Sequence, residues 1–221
     1  MRALIFDVDG TLAETEELHR RAFNDSFKDA GLDWHWTAEI YAQLLKTTGG
    51  KERMRVWRDQ TGSDVSNTKI ADLHTVKTAR YGALIAGGEI SLRPGIPELI
   101  AYAKSNNLRL AIATTTSHPN VDALCRSCFK RPVEDIFEVV AAGDEVREKK
   151  PAPDVYLLAL ERLGLEPDDT IAVEDSQNGV LSAKAAGLKV VAAPSTFTHS
   201  DPLDAADKVA PVLSVDLLMD L

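Results

Sequence analysis

Residues 3–11 read ALIFDVDGT, and this stretch decides the fold. Four apolar residues followed by two carboxylates and a glycine predict a buried strand over residues 3–6 that ends in a tight turn at Gly10. Alternate side chains of an extended segment point the same way, and the turn lets Asp7 and Asp9 reach one small site. Two carboxylates this close repel each other unless a proton or a cation lies between them. Mg²⁺ prefers such oxygen ligands; the alternative is a solvent-exposed strand end with ordinary turn residues.

Three later apolar runs also end in polar residues. Residues 110–113 lead to Thr114, residues 137–142 lead on to Lys150, and residues 170–173 lead to Glu174 and Asp175. The carboxyl ends of parallel strands meet at one edge of an α/β sheet, and ligands bind there. We therefore expect a nucleophile, an acid/base, donors for an anion and metal ligands to gather at this edge. The residues are Asp7, Asp9, Thr114, Lys150, Glu174 and Asp175.

The chain downstream of Leu108 alternates short apolar runs with helical periodicity. Strands are predicted at the runs above and over residues 190–193. Helices are predicted over residues 96–103, 121–129, 155–163 and 180–186. This βαβα pattern predicts an α/β fold with a doubly wound parallel sheet.

Residues 15–85 break that alternation. Helices are predicted over residues 20–27, 38–45, 52–60 and 70–84, with no candidate strand between them. We interpret this segment as an inserted helical cap, because it is long for a single strand-to-helix connection and a cap can close over a site. The predicted division is a core of residues 1–14 and 87–221 and a cap of residues 15–86. The alternative is that these helices only cover one face of the sheet.

Bulk composition excludes several functional classes. The 221 residues carry a net charge of −9, which argues against nucleic acid or an acidic membrane as a partner. Two cysteines do not make a disulfide scaffold. Asp7 interrupts the first apolar stretch too early for a signal peptide, and no apolar run approaches the length of a membrane span. We expect a cytoplasmic monomer.

The order of motifs resembles the haloacid dehalogenase superfamily: DxDGT at residues 7–11, Thr114 after an apolar run, Lys150-Pro151, and Glu174-Asp175. Six stretches resemble the CbbY-type sugar phosphatases more closely, with β-phosphoglucomutases and phosphoglycolate phosphatases as the nearest other groups. They are residues 13–23, 44–53, 92–100, 113–129, 148–156 and 173–179. The resemblance implies a Rossmann-like core, an inserted cap and Mg²⁺-dependent hydrolysis of a small sugar bisphosphate. The implied reaction converts xylulose-1,5-bisphosphate to xylulose-5-phosphate through an aspartyl-phosphate.

The resemblance also assigns roles to the residues at the sheet edge. Asp7 would be the nucleophile and Asp9 the acid/base. Thr114 and the amide of Thr115 would bind phosphoryl oxygens, and Lys150 would neutralise developing charge. The expected ligands of Mg²⁺ are an oxygen of Asp7, the backbone carbonyl of Asp9 and Asp175, with Glu174 supporting these ligands or reaching the ion through water.

Substrate specificity is expected to come from the cap and from the loop after Thr114. The turn at residues 47–51 opens a helix with small residues and a cation, which suits a second phosphate. His74 and Lys77 share a helix face, and Glu16 and His19 are within reach of sugar hydroxyls. For each cap residue the alternative is a solvated helix surface. The candidate substrate-binding residues are Glu16, His19, Thr48, Gly49, Gly50, Lys51, Arg53, His74, Lys77, Thr115, Thr116, Ser117, His118 and Asn120.

A phosphatase of another sugar phosphate, two other enzyme activities and a non-enzymatic binding module remain as alternatives. A mutase of the β-phosphoglucomutase type is disfavoured by Thr11. This residue resembles the phosphatases, whereas the best-known mutases of this type have a bulkier apolar residue at the matching position. A dehalogenase is disfavoured by Asp9 and by the Glu174-Asp175 pair. A binding module is disfavoured because every position of the expected catalytic set carries suitable chemistry.

Overall fold

The computed structural model describes residues 1–88 and 90–221. Its six strands form one parallel sheet in the order β3-β2-β1-β4-β5-β6, which confirms the predicted doubly wound α/β fold. The two-residue strand β6 was not predicted, because so short a segment carries no apolar pattern. The strands are β1 (Ala3–Phe6), β2 (Arg109–Ala113), β3 (Val139–Ala141), β4 (Thr170–Glu174), β5 (Lys189–Ala192) and β6 (Lys208–Val209).

All the predicted helices are present, but several begin earlier than their apolar periodicity. Ser66 Oγ accepts a hydrogen bond from the Lys69 amide at 3.1 Å, so α4 starts with a polar turn. Ser176 caps α8 in the same way through the Gly179 amide. The helices are α1 (Glu16–Asp29), α2 (Ala38–Leu44), α3 (Gly50–Thr61), α4 (Asn67–Ala86), α5 (Ile96–Ser105), α6 (His118–Phe129), α7 (Asp154–Leu163) and α8 (Gln177–Ala185).

Strand β1 lies at the centre of the sheet and aligns the strand ends. Phe6 pairs with Ile112 of β2 on one side and with Val173 of β4 on the other. Its alternate side chains enter different cores: Leu4 and Phe6 pack on one face, while Ala3 and Ile5 pack on the other. The residues that follow β1, β2 and β4 therefore emerge side by side at one edge.

Helices α1 to α4, here called the helical block (residues 16–86), build a separate apolar core. Half of the buried residues in this core are aromatic; its members are Phe23, Phe27, Trp34, Trp36, Tyr41, Leu44, Met54, Val65, Ile70 and Leu73. The segments that enter and leave the helical block lie side by side, because Ala13 forms an antiparallel bridge with Leu92. The division into core and cap domains stays a prediction. In the part of the chain that the structure describes, no helix is both long and apolar enough to cross a membrane.

Candidate active site

Lys150 is the centre of a buried ion-pair network at the sheet edge. Its ammonium donates to Asp7 Oδ1 at 2.7 Å, to Glu174 Oε1 at 2.6 Å and to the Ala113 carbonyl at 2.9 Å. Burial lowers the pKa of Lys150, but the two carboxylates outweigh it and hold this pKa above its ordinary value. Lys150, which follows β3, thus meets Asp7, which follows β1, and the last residues of β2 and β4; the sequence predicts that Asp7, Lys150 and Glu174 lie together.

Three buried carboxylates at this edge can hold a metal ion. Asp7, Glu174 and Asp175 each offer an oxygen, and the three oxygens lie within 4.8 Å of one another. Burial raises the pKa of Asp175 well above its ordinary value, with repulsion from Asp7 and Glu174 adding to the shift. Burial also raises the pKa of Asp7 to about 7, against the attraction of Lys150. Because one lysine cannot neutralise three acids, this all-oxygen set fits a hard divalent cation.

Two glycines leave room for the carboxylates of Asp175 and Glu174 at this edge. A Cβ on Gly10, which has φ +85°, would lie 2.2 Å from Asp175 Oδ2. A Cβ on Gly179 would lie 1.9 Å from Glu174 Oε2. Any larger residue at either position would displace a carboxylate of the cluster.

Asp9 occupies a different environment from Asp7. Its Oδ1 accepts a hydrogen bond from Thr15 Oγ1 at 2.6 Å and contacts His19 Nε2 at 3.1 Å. Burial opposes ionisation of Asp9, but His19 and Thr15 together lower its pKa to about 2. The carboxylate of Asp9 therefore lies outside the Asp7, Glu174 and Asp175 cluster. This leaves only its backbone carbonyl for the metal role that the sequence predicts.

A chain of contacts runs from Asp9 into the helical block. His19 Nδ1 lies 2.5 Å from Lys77 Nζ, and the His19 ring stacks on Tyr81 at 3.7 Å. Burial lowers the pKa of His19, as does the charge of Lys77. Burial and Arg53 lower the pKa of Lys77 to about 7. A neutral imidazole satisfies both neighbours, because Nε2–H donates to Asp9 and Nδ1 accepts from Lys77.

The loop after β2 is compact and lines the same edge. Thr114 is buried and its hydroxyl accepts from the Thr116 amide at 3.2 Å, while Asn120 donates to Thr116 Oγ1 at 3.0 Å. Ser117 Oγ is buried and finds no hydrogen-bond partner among the residues described here. Thr115 is half-buried, and His118 is exposed. The predicted anion-binding residues thus lie in the loop before α6 and in the first turn of that helix, where His118 is exposed to solvent.

The turn before α3 brings several predicted substrate residues together. Gly49 has φ +98°, and a Cβ on Gly50 would lie 2.9 Å from the ring of His74. Burial and nearby lysines lower the pKa of His74 to about 4, so its ring is neutral. Lys51 is exposed, and Thr48 is half-buried. The turn therefore places backbone amides, the His74 imidazole and the exposed Lys51 ammonium close together.

Arg53 and Glu16 have partners within the helical block. Arg53 donates to the Thr47 carbonyl at 3.1 Å and to the Tyr41 hydroxyl at 3.0 Å. Tyr41 in turn donates to Glu16 Oε2 at 2.6 Å. Arg53 therefore shapes the turn before α3, whereas Lys51 extends into solvent.

Several residues of the site were missed by the sequence reasoning, although Arg93 and Tyr156 lie in stretches that resemble the sugar phosphatases. Tyr156 donates to Glu174 Oε1 at 2.6 Å, and Thr198 Oγ1 lies 3.0 Å from Asp175 Oδ2. Arg93 donates to the carbonyls of Ala193 at 3.1 Å and Pro194 at 2.7 Å and also reaches the Gly10 carbonyl. These side chains support the carboxylates and the turn after β1 from distant parts of the chain.

Comparison with known families agrees with this geometry. The family model described as haloacid dehalogenase-like hydrolase matches residues 1–187. The chain belongs to this family. The prediction of a phosphatase-type enzyme of the haloacid dehalogenase superfamily is thereby confirmed.

Relatives within this hydrolase family are similar over nearly the whole chain. Protein CbbY of Rhodobacter capsulatus is 60% identical, covering 97% of this chain and 94% of that protein. CbbY from Rhodobacter sphaeroides has been solved with phosphate and, as a mutant, with xylulose-(1,5)bisphosphate. Each structure matches with a TM-score of 0.93 at 53% identity, over 96% of this chain and 94% of that one. β-Phosphoglucomutase from Clostridium difficile shares the fold, with a TM-score of 0.79 at 21% identity over 96% and 91% of the two chains. The resemblance to CbbY proteins is confirmed.

Proposed function

We propose that this hydrolase is a Mg²⁺-dependent phosphatase of a small sugar bisphosphate, and that it converts xylulose-1,5-bisphosphate to xylulose-5-phosphate. The observation that carries the proposal is the buried set of Asp7, Lys150, Glu174 and Asp175 beside a separately bonded Asp9. The substrate follows from likeness to a CbbY protein that was solved with xylulose-(1,5)bisphosphate.

Asp7 is the proposed nucleophile. Its Oδ1 is bonded to Lys150, which leaves Oδ2 to attack phosphorus. The new bond joins Asp7 to phosphorus while the bond from phosphorus to the sugar oxygen breaks, so that one difficult displacement becomes two easier ones. In the second step water attacks phosphorus and phosphate leaves Asp7. Lys150 neutralises charge that develops on the phosphoryl oxygens.

Asp9 is the proposed acid and base. In the first step its proton goes to the departing sugar oxygen, and in the second step it accepts a proton from water. Asp9 is ionised at rest, so the first step needs a proton donor, which the chain of contacts supplies. His19 Nε2–H gives its proton to Asp9, and Lys77 replaces that proton at His19 Nδ1.

The carboxylates of Asp7, Glu174 and Asp175 form a site that suits Mg²⁺. An oxygen of Asp7, the backbone carbonyl of Asp9 and Asp175 would hold the ion, and Glu174 would act through water because its oxygens are committed to Lys150, Tyr156 and the Asp175 amide. When bound, Mg²⁺ offsets negative charge on the carboxylates and on the substrate phosphate.

Removal of divalent metal is expected to lower turnover by more than about a hundredfold, because the carboxylates of the cluster would then repel the substrate phosphate. The measurement is phosphate release after dialysis against EDTA and again after Mg²⁺ is added. The melting temperature should also rise on addition of Mg²⁺, since a ligand that binds the native state stabilises that state. Full activity of metal-free protein would exclude this site.

Lys51 and the amides at the start of α3 are the proposed site for the second phosphate. Lys51→Ala should lower kcat/KM for xylulose-1,5-bisphosphate by roughly tenfold, because a charge-assisted contact is lost. Hydrolysis of p-nitrophenyl phosphate, which has no second phosphate, should change by less than about twofold. Lys69→Ala is the matched control, since Lys69 is an exposed lysine elsewhere in the helical block. Equal losses on both substrates would contradict the second-phosphate site.

The proposed substrate is tested by phosphate release across a panel of phosphorylated sugars, with xylulose-1,5-bisphosphate and ribulose-1,5-bisphosphate side by side. The highest kcat/KM is expected for the xylulose compound. A separate assay mixes the protein with β-glucose-1-phosphate and a bisphosphate primer. Formation of glucose-6-phosphate at a rate exceeding hydrolysis would identify a mutase instead.

A further inference from the structure

The first turn of α8 contacts the helical block directly. Asn178 Nδ2 donates to the Lys46 carbonyl at 3.2 Å and to Thr48 Oγ1 at 3.1 Å. A side-chain amide nitrogen carries two hydrogens, so both donors of Asn178 are committed to residues 46–48. Because α8 begins just after Asp175, this single side chain joins the edge of the sheet to the loop before α3.

The loop at residues 46–48 is also held from within the helical block. Arg53 Nε donates to the Thr47 carbonyl at 3.1 Å. The loop therefore lies between two anchors, one on α3 and one on α8. It continues into Gly49 and Gly50, whose amides begin α3 beside His74. The position of this helix start relative to Asp7 thus depends on Asn178.

An aromatic contact also joins the helical block to the sheet edge. Phe197, in the segment after β5, lies edge-on against Tyr41 with ring centroids 5.7 Å apart. The next residue, Thr198, donates to the backbone carbonyl of Asp175 at 2.8 Å. The contact between the two rings keeps the helical block close to the sheet edge. The hydrogen bonds of Asn178 are directional, so they fix the position of the loop at residues 46–48 relative to α8.

We propose that Asn178 is a positioning residue that fixes the span between Asp7 and the start of α3, and thereby selects bisphosphates of matching length. The inference rests on the proposed function, because it assigns one phosphate to each end of that span. A bisphosphate gains from the second contact only if both ends fit at once, so a loose loop forfeits this gain. A monophosphate that uses the Asp7 end alone does not depend on the span.

The kinetic test compares Asn178→Ala with Gln177→Ala, which removes the neighbouring exposed side chain of the same helix turn. Asn178→Ala should raise KM for xylulose-1,5-bisphosphate by about tenfold and leave p-nitrophenyl phosphate hydrolysis within about twofold. Gln177→Ala should match the parent on both substrates. Equal losses on both substrates, or a parent-like KM for xylulose-1,5-bisphosphate in Asn178→Ala, would overturn the assignment.

A second measurement needs no substrate. Hydrogen exchange of the amides at residues 44–53 should be several-fold faster in Asn178→Ala than in the parent or in Gln177→Ala, because the loop loses its anchor on α8. Unchanged exchange would show that Asn178 does not hold the loop. If the parent enzyme hydrolyses no bisphosphate, the proposed function and the length selection both fail. The exchange result then still decides whether Asn178 fixes the loop.

Discussion

Asp7→Asn is expected to abolish turnover, with a loss on the order of 10⁴-fold or more, because an amide oxygen cannot form the proposed aspartyl-phosphate. Asparagine has nearly the same shape, and Lys150 would keep its bonds to Glu174 and to the Ala113 carbonyl. The protein should therefore fold and bind phosphate esters. The measurement is single-turnover phosphate release together with thermal melting.

Asp144→Asn provides the matched control for this change. Asp144 is an exposed carboxylate in the loop after β3, so the same chemical substitution there leaves the cluster around Lys150 intact. Its activity should equal that of the parent enzyme. Acid quench of the parent during turnover should trap phosphate on the chain, and Asp7→Asn should trap none. Covalent phosphate in Asp7→Asn would assign the nucleophile to another residue.

Asp9→Asn should separate binding from hydrolysis. The asparagine oxygen can still accept from Thr15, so the turn after β1 keeps its shape and the substrate still binds. Loss of the proton donor and acceptor should slow hydrolysis by about 10²- to 10⁴-fold. Calorimetry gives the affinity for xylulose-1,5-bisphosphate, and rapid quench gives the rate. A rate near that of the parent enzyme would show that Asp9 is not the acid and base.

The sheet edge was predictable from sequence because its chemistry follows each strand directly. A parallel sheet places strand ends together whatever the connecting segments do, so Asp7, Thr114 and Asp175 need no further information. Lys150 is further from its strand, but the polar segment that follows residues 137–142 still indicated its place at the same edge, and the resemblance to a family added its role. The helix starts were less accurate, since caps such as Ser66 extend a helix beyond its apolar pattern.

Contacts between the helical block and the sheet edge could not be predicted in this way. The approach of Lys77 to His19 depends on how α4 packs against α1, and a spacing within α4 indicates only that Lys77 shares a face with His74. Asn178 and Phe197 look like ordinary polar and apolar residues until the two parts of the chain are docked. Lys51 and Arg53 look equivalent in sequence, but Arg53 donates to the Thr47 carbonyl and helps to hold the loop, whereas Lys51 is exposed.

The central place of β1 has a consequence for biosynthesis. Phe6 pairs with Ile112 and Val173, so β1 leaves the ribosome well before either of the strands that flank it. Contacts this remote along the chain close slowly, whereas the largely local contacts within α1 to α4 can form while elongation continues. The nascent chain must shield the apolar segment at residues 3–6 until the segment carrying Asp175 has emerged. The charge cluster around Lys150 therefore forms only after Asp175 has been translated.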